Sequence, residues 1–472
     1  MTNEIPSNLS LDELDRRTVM HAFTNLKQHR AGETGGPRII ETGEGIRIRD
    51  QRGVELIDAF AGLYCVNVGY GRTEIADAVH AQTKKLAYYH TYVGHSNEPV
   101  IRLSERIIRD APDGMSKIYY GMSGSDANET QVKLVWYYNN VLGRSHKKKI
   151  IARHRGYHGC SVVSGSLTGL PFYHQAFDLP VDRILHTATP HHYWNAEPGM
   201  SEREFSQYCA DQLEAMIIRE NPETVAAFIG EPVLGTGGII PPPEGYWEAI
   251  QQVLNKYDVL LIADEVVTGF GRIGSYFGSP HYGIKPDLIT VAKGMTSGYI
   301  PLSGVIIGEK VWSVLEKASD MLGAMSHGYT YSGHAVGAAA ALANLDIIER
   351  ENLVGNARDT GAYLQQRMGE TFADHPMVGE VRGVGLLAAL EFVGNKKKKQ
   401  RFDPNLKVGP KVSAAALENG VIARAMPHGD ILGFAPPLIV NREEIDDIVE
   451  RTRRAVDKVA DGLVREGVWK GQ

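Results

Sequence analysis

The sequence predicts an α/β protein: a large domain built on a mostly parallel sheet, joined to a smaller α+β domain. Three observations carry that expectation. Residues 259–263 and 288–292 are short, continuously apolar runs bounded by turn residues, as strands buried on both faces should be. Between about 117 and 318, further short apolar runs alternate with helical patterns and Gly/Ser or Gly/Pro turns. Beyond about 350 the pattern shifts to longer helices and antiparallel strands. At 472 residues the chain is long enough for two or three domains.

In chain order, residues 10–30 read as one amphipathic helix, with Ser10 as its N-cap and Asp12 and Glu13 in the first turn. A hairpin pattern follows, with turns at 43–45 and 50–53. Residues 61–72, rich in small residues and tyrosine, read as a loop lining a site, and 73–86 as a helix. A strand at 117–120 leads into a Gly/Ser turn at 121–129 and then a helix. Free backbone N–H groups at such a helix start make an anion site, with Gly124 and Ser125 as the groups that would hold a phosphate. A plain N-cap by Ser123 or Ser125 is the competing reading.

The strand at 149–152 ends in RHRGYHGCS. His154 and His158 are four apart, a spacing that suits a metal on a helix. Gly156 and Gly159 oppose a helix here, and no acid or cysteine completes a ligand set, so no metal is expected. Tyr157 is a candidate to stack on a flat ring, and Cys160 reads as a buried structural thiol. Residues 171–200 read as a long surface excursion carrying the cluster His191, His192, Tyr193 and Trp194, to which no role is assigned. A helix at 201–220 and a strand at 225–230 come next. The strand ends in Glu231 and Pro232, and its Gly/Pro-rich continuation reads as a rigid loop.

Two charged residues close the first two runs named above. Asp264 ends one and Lys293 ends the other. Ligands of open parallel sheets sit beyond the carboxyl ends of the strands, so an acid and an amine are expected at one sheet edge. A neutral lysine amine forms a Schiff base with an aldehyde, and a carboxylate beside a pyridine nitrogen keeps it protonated. The pair therefore points to a pyridoxal phosphate ring lying between them. Gly269, Gly271 and Gly274 imitate a dinucleotide fingerprint, but no helical period follows the third glycine, and nicotinamide binding is not expected. Gly383, Gly385 and Ala388 imitate its variant inside what reads as one apolar strand at 379–393. Helices are expected at about 310–318, 353–373, 409–418 and 442–465, and strands at 303–308, 420–423 and 431–434.

Composition is ordinary for a soluble protein, 43% hydrophobic and 22% charged. The net charge of -6 gives no global attraction to nucleic acid or an anionic membrane, and the basic run 396–399 reads as solvated surface. No apolar run approaches the ~20 residues of a membrane span, and the first residues lack a leader pattern. Cys65, Cys160 and Cys209 are scattered, which fits a reducing cytoplasmic compartment.

The motifs SGSDANE at 123–129, YHG at 157–159, EPVLGTGG at 231–238, LLIADEVVTGFGRIG at 260–274, PDLITVAKG at 286–294 and HGYTYSGH at 327–334 together resemble the class III, or omega, aminotransferases. The resemblance spans nearly the whole chain. It implies a fold type I pyridoxal phosphate enzyme with a seven-stranded sheet. The implied division is an N-terminal segment at 1–72 that joins the small domain, a cofactor-binding domain at 73–331 and a C-terminal small domain at 332–472. Lys293 would carry the cofactor and move the substrate proton, and Asp264 would pair with the ring nitrogen. Tyr157 and Val266 would cover the two ring faces. Ser123, Gly124 and Ser125 would cradle the phosphate, with His158 and Glu231 nearby. Thr330 would reach the phosphate of a neighbouring subunit, so the active unit would be a homodimer, with dimer or tetramer left open.

The segment 61–79 resembles the pyruvate-dependent branch. Tyr64, after Leu63, stands where many members carry tryptophan, which should alter the amines that fit. Arg424 resembles the arginine that grips the acceptor carboxylate, a task suited to a bidentate guanidinium. The expected reaction is ping-pong transfer from an omega-amino acid or primary amine to pyruvate. A 2-oxoglutarate-dependent member, a same-fold aminomutase, racemase or decarboxylase, and a non-enzymatic relative are the alternatives.

Overall fold

A computed structural model describes residues 8–33 and 36–471, so residues 1–7, part of the stretch read above as lacking a leader, lie outside the described residues. Two short helices come first, α1 (Leu11–Thr18) and α2 (Leu26–Ala31). Ser10 caps α1 through a capping box with Glu13, as expected. The single helix expected over 10–30 is broken at Val19, where the backbone turns extended. Neither piece has the continuous apolar stripe that would hold it together.

The hairpin follows as β1 (Ile40–Glu44), β2 (Arg47–Asp50) and β3 (Glu55–Asp58). The large sheet is made of β4 (Met115–Gly121), β5 (Lys149–Arg153), β6 (Ile184–Thr187), β7 (Val225–Gly230), β8 (Leu260–Asp264), β9 (Leu288–Val291) and β10 (Ser303–Gly308). Its spatial order is β4-β10-β9-β8-β7-β5-β6. The pairs from β6 through β9 are parallel, and β10 runs antiparallel to both β9 and β4. Every residue of β7, β8, β9 and β10 is buried, which explains the unbroken apolar runs.

Neighbouring residues feed opposite faces of the sheet. Leu260 and Ile262 pack with Val132 and Val135 of the helix Gly124–Val141, while Leu261 packs with Phe205, Leu213 and Trp247 on the other face. Burying each such side chain contributes roughly 1.5–3 kcal/mol. The period-two alternation fixes register, and with it the height at which each strand ends.

The remaining strands are β11 (Val378–Val384), β12 (Leu387–Phe392), β13 (Val421–Ile422), β14 (Arg424–Ala425) and β15 (Ile431–Phe434). β13 joins the N-terminal hairpin in the sheet β1-β2-β3-β13, and the others form β11-β12-β15-β14. The run 379–393 is therefore two antiparallel strands rather than one. Gly385 makes the turn at φ +54, where an added Cβ would lie 2.5 Å from the Ile273 backbone. The stretch 171–200 is not only a surface excursion, because β6 within it forms the sheet edge. Helices Glu98–Asp110 and Tyr246–Lys256 are further elements that the pattern reading did not resolve. No helix among the described residues is long and apolar enough to cross a membrane.

Candidate active site

The ends of β8 and β9 set the geometry. Asp264 pairs in register with Thr290, and Lys293 follows three residues on, just beyond β9. Lys293 has φ +43, a left-handed backbone that ends the extended path of the strand. Together Asp264 and Lys293 line a cavity with Gly124, Ser125, Asn128, Tyr157, His158, Gly159, Glu231, Thr236, Val266 and Val267.

Asp264 is 3% exposed. Burial opposes its charge, but the donors outweigh it and hold the carboxyl below its ordinary range. Those donors are the His158 ring at 2.8 Å, the Asn128 amide at 3.0 Å and the Val266 N–H at 3.1 Å. Since an ionised carboxylate only accepts, the His158 Nδ1 carries the proton. Its Nε2 is buried without a protein partner among the described residues. Asn128 also donates to the His158 carbonyl at 2.7 Å and accepts from Thr290 at 2.7 Å. This locks helix start, loop and strand end around one acid.

Lys293 faces a different balance. Burial lowers its pKa, against the raising influence of Cys65, Asp264 and Glu231. The result favours the neutral amine that nucleophilic work requires. Its Nζ sits 5.8 Å from the centre of the Tyr64 ring. Tyr64 is 2% exposed and its hydroxyl is buried without a partner, whereas Leu63 is 49% exposed.

The anion cradle is built by the first turn of the helix Gly124–Val141. Ser123 is its N-cap and accepts from the Asp126 N–H, while the Asp126 carboxylate accepts from the Ser123 N–H. The N–H groups of Gly124 and Ser125 are left without intrahelical acceptors. A Cβ on Gly124 would lie 3.1 Å from Val266, and one on Gly159, whose φ is +136, would meet the Ser164 and Ser125 hydroxyls at 2.4 and 2.6 Å. Only glycine leaves this cradle open. Cys160 is exposed beside it, with its N–H donating to Ser125 Oγ at 3.3 Å, so the expected buried thiol is not found. The helix Val162–Leu167 starts two residues further on.

Glu231 fixes the far wall. It is 4% exposed and accepts from the N–H groups of Tyr157 at 3.2 Å and Gly235 at 2.9 Å. Burial pushes its carboxyl up, with His158 and Arg153 pulling it down. The Tyr157 ring lies 5.4 Å from that of Tyr173. Arg424, on β14, holds its guanidinium 5.7 Å above the Phe60 ring, and no ion pair with a protein carboxylate is formed by it among the described residues. Thr330 stands apart. It is exposed, does not line the cavity, and its carbonyl accepts from Tyr88 at 2.7 Å.

Sequence reasoning missed Asn128, Thr236 and Val267. Asn128 is the findable one, since it lies in the first turns of the helix whose start reads as an anion site. The His191 cluster also finds a structural place. His191 joins Arg155 at 2.9 Å to Glu380 at 3.0 Å, and Arg382 pairs with Glu380 at 2.6 Å and Glu391 at 2.9 Å.

The described geometry has counterparts among known proteins. The family model described as aminotransferase class-III matches residues 30–456. A diaminobutyrate--2-oxoglutarate transaminase of Halomonas elongata is 65% identical over 97% of this chain and 98% of its own. A putrescine--pyruvate aminotransferase of Pseudomonas aeruginosa is 43% identical over 95% and 96%. The crystal structure of the omega transaminase from Pseudomonas jessenii in complex with PMP superposes with a TM-score of 0.94 at 46% identity, covering 97% of this chain and 99% of that one.

Proposed function

Because the chain belongs to the class-III aminotransferases, we propose that it moves an amino group from an omega-amino acid or other primary amine to pyruvate, giving an aldehyde or ketone and L-alanine. The family uses pyridoxal phosphate, and the site fits that group. The fit rests on an ionised acid and a desolvated lysine facing one cavity, a glycine cradle with free N–H groups, and a buried His158 nitrogen lacking a protein partner.

Bound there, pyridoxal phosphate supplies an aldehyde that captures an amine and a ring that accepts electrons from the carbon losing its proton. The chain does the rest. Asp264, held ionised by His158 and Asn128, gives the fixed negative charge that a protonated ring nitrogen needs. Gly124 and Ser125 would offer their N–H groups to the phosphate. Lys293 would hold the cofactor through its amine, and once a substrate amine has displaced it, its neutral Nζ would take the proton from the substrate carbon and return it to the cofactor carbon that had carried Lys293. Tyr157 and Val266 wall the ring slot, and Glu231 sets the Tyr157 backbone. The two half-reactions share these groups, so the kinetics are ping-pong.

The choice of pyruvate is carried by Arg424. Its charge acts on both Lys293 and Tyr157, it pairs with no protein carboxylate among the described residues, and one guanidinium matches one carboxylate. Arg272, the next candidate, is fully buried and spent on the carbonyls of Ala435 and Pro436 and on Asn67. The diaminobutyrate--2-oxoglutarate relative favours a second reading with 2-oxoglutarate as acceptor. We also propose a homodimer in which Thr330 completes the partner's phosphate site. An amine panel of diamines, omega-amino acids and arylalkyl amines, run against pyruvate and 2-oxoglutarate in parallel, tests the acceptor. Alanine should form faster than glutamate with every accepted donor. Predominant glutamate would replace the first reading with the second.

A further inference from the structure

Outside the active site, Asp15, His21 and His29 converge. The His21 Nε2 lies 2.8 and 3.0 Å from the two Asp15 oxygens, and the His29 Nε2 lies 3.1 Å from one of them. The two rings meet edge to face with centroids 4.6 Å apart. All three ligand atoms fall within 4.8 Å of one another. We propose that these residues bind one divalent transition-metal ion, zinc being the best match.

The donor set decides the class of ion. Two imidazole nitrogens and one carboxylate suit zinc, nickel or copper, whereas calcium and magnesium want oxygen shells. Tetrahedral zinc, with bonds of ~2.0–2.1 Å, spaces its ligands about 3.3 Å apart. The nitrogen–oxygen separations here need to open by only a few tenths of an ångström. Three protein ligands leave the fourth position to water. Each imidazole must then carry its proton on Nδ1, turning a lone pair instead of an N–H toward the centre.

A second observation concerns what holds this segment together. α1 buries no residue, and the one buried residue of α2 is His29 itself. Leu11, Val19, Met20, Phe23 and Leu26 are all exposed. A helix pair without an apolar core is the situation in which a metal clip supplies closure. The clip also reaches toward the active site. Phe23, between the two histidines in sequence, meets Tyr173 at 5.3 Å, and Tyr173 meets the cavity-lining Tyr157 at 5.4 Å.

The test uses the cofactor-loaded full chain, stripped with a chelator and titrated calorimetrically with zinc chloride. Wild type should bind one zinc per chain, and Asp15→Asn and the double variant His21→Ala/His29→Ala should each bind it at least tenfold more weakly. Zinc should also slow trypsin cleavage after the exposed Arg17 and Arg30 several-fold in wild type and not in the double variant. Circular dichroism and cofactor content check that the variants fold, and trypsin protection of wild type alone still decides if they do not. Absence of zinc binding to wild type, an identical titration in the folded double variant, or zinc-independent cleavage overturns the proposal in favour of a plain hydrogen-bonded cluster.

Discussion

Lys293 concentrates the chemistry proposed here, and its replacement gives the sharpest expectation. Lys293→Ala should lower kcat by at least the ~10²–10⁴ typical of a lost general acid/base, while circular dichroism stays native. Near-normal transfer by that variant would show that another amine does the work. Asn128 offers a subtler test, through pH. The folded-state pKa of Asp264 lies below its ordinary value, so its contribution to stability is complete above the unfolded value of about 3.9. That contribution is lost as pH falls through the lowered folded value. Asn128→Ala removes one donor to this carboxylate and one to the His158 carbonyl. The acid limb of cofactor retention should therefore move to higher pH, read from bound cofactor across a pH series. An unmoved limb would mean that His158 and the Val266 N–H suffice to hold the charge.

Strand ends and loop glycines are what carry these residues, and their legibility in the sequence was uneven. β7 through β10 announced themselves because both faces are buried and the runs are uniformly apolar. The edge strand β6, ILHT, has half-exposed middle residues and lies inside a polar stretch, so nothing local marked it. The pairing of Asp264 with Thr290 and the left-handed turn at Lys293 are consequences of register, which only the partner strand sets. The burial of Tyr64 beside an exposed Leu63 was likewise invisible. It depends on a kink in which Gly62 and Tyr64 both adopt positive φ. Gly159→Ala tests the cradle at this scale. The added methyl has no room between Ser125 and Ser164, and the φ of +136 disfavours any side chain. Cofactor affinity should fall at least tenfold by equilibrium dialysis, with Tm lowered as the loop shifts.

At the scale of the whole molecule, the parts near the two ends of the chain and its middle are not independent. β3 and β13 pair across more than 360 residues, with Ile57 opposite Val421. The proposed subunit sharing makes a related prediction. Thr330→Ala should weaken cofactor binding severalfold although Thr330 is remote from the cavity of its own chain, and a mixed dimer carrying it on one side should lose affinity at one of two sites. Equal loss at both sites would place its effect within its own subunit. Arg272 ties the same regions from inside. Its guanidinium is fully buried, and its acceptors come from Asn67 on one side and from Ala435 and Pro436 on the other. Arg272→Ala should cost about 3–5 kcal/mol, measured by denaturant unfolding, because it strands three buried acceptors and opens a void. The wider consequence is for modularity. A fragment made of residues 73–331 would keep every strand of the great sheet yet lose every acceptor of Arg272 and bare the apolar side chains that now pack with Ile57, Leu386 and Leu432, so the middle of this chain is not a portable unit and excision should yield an aggregate.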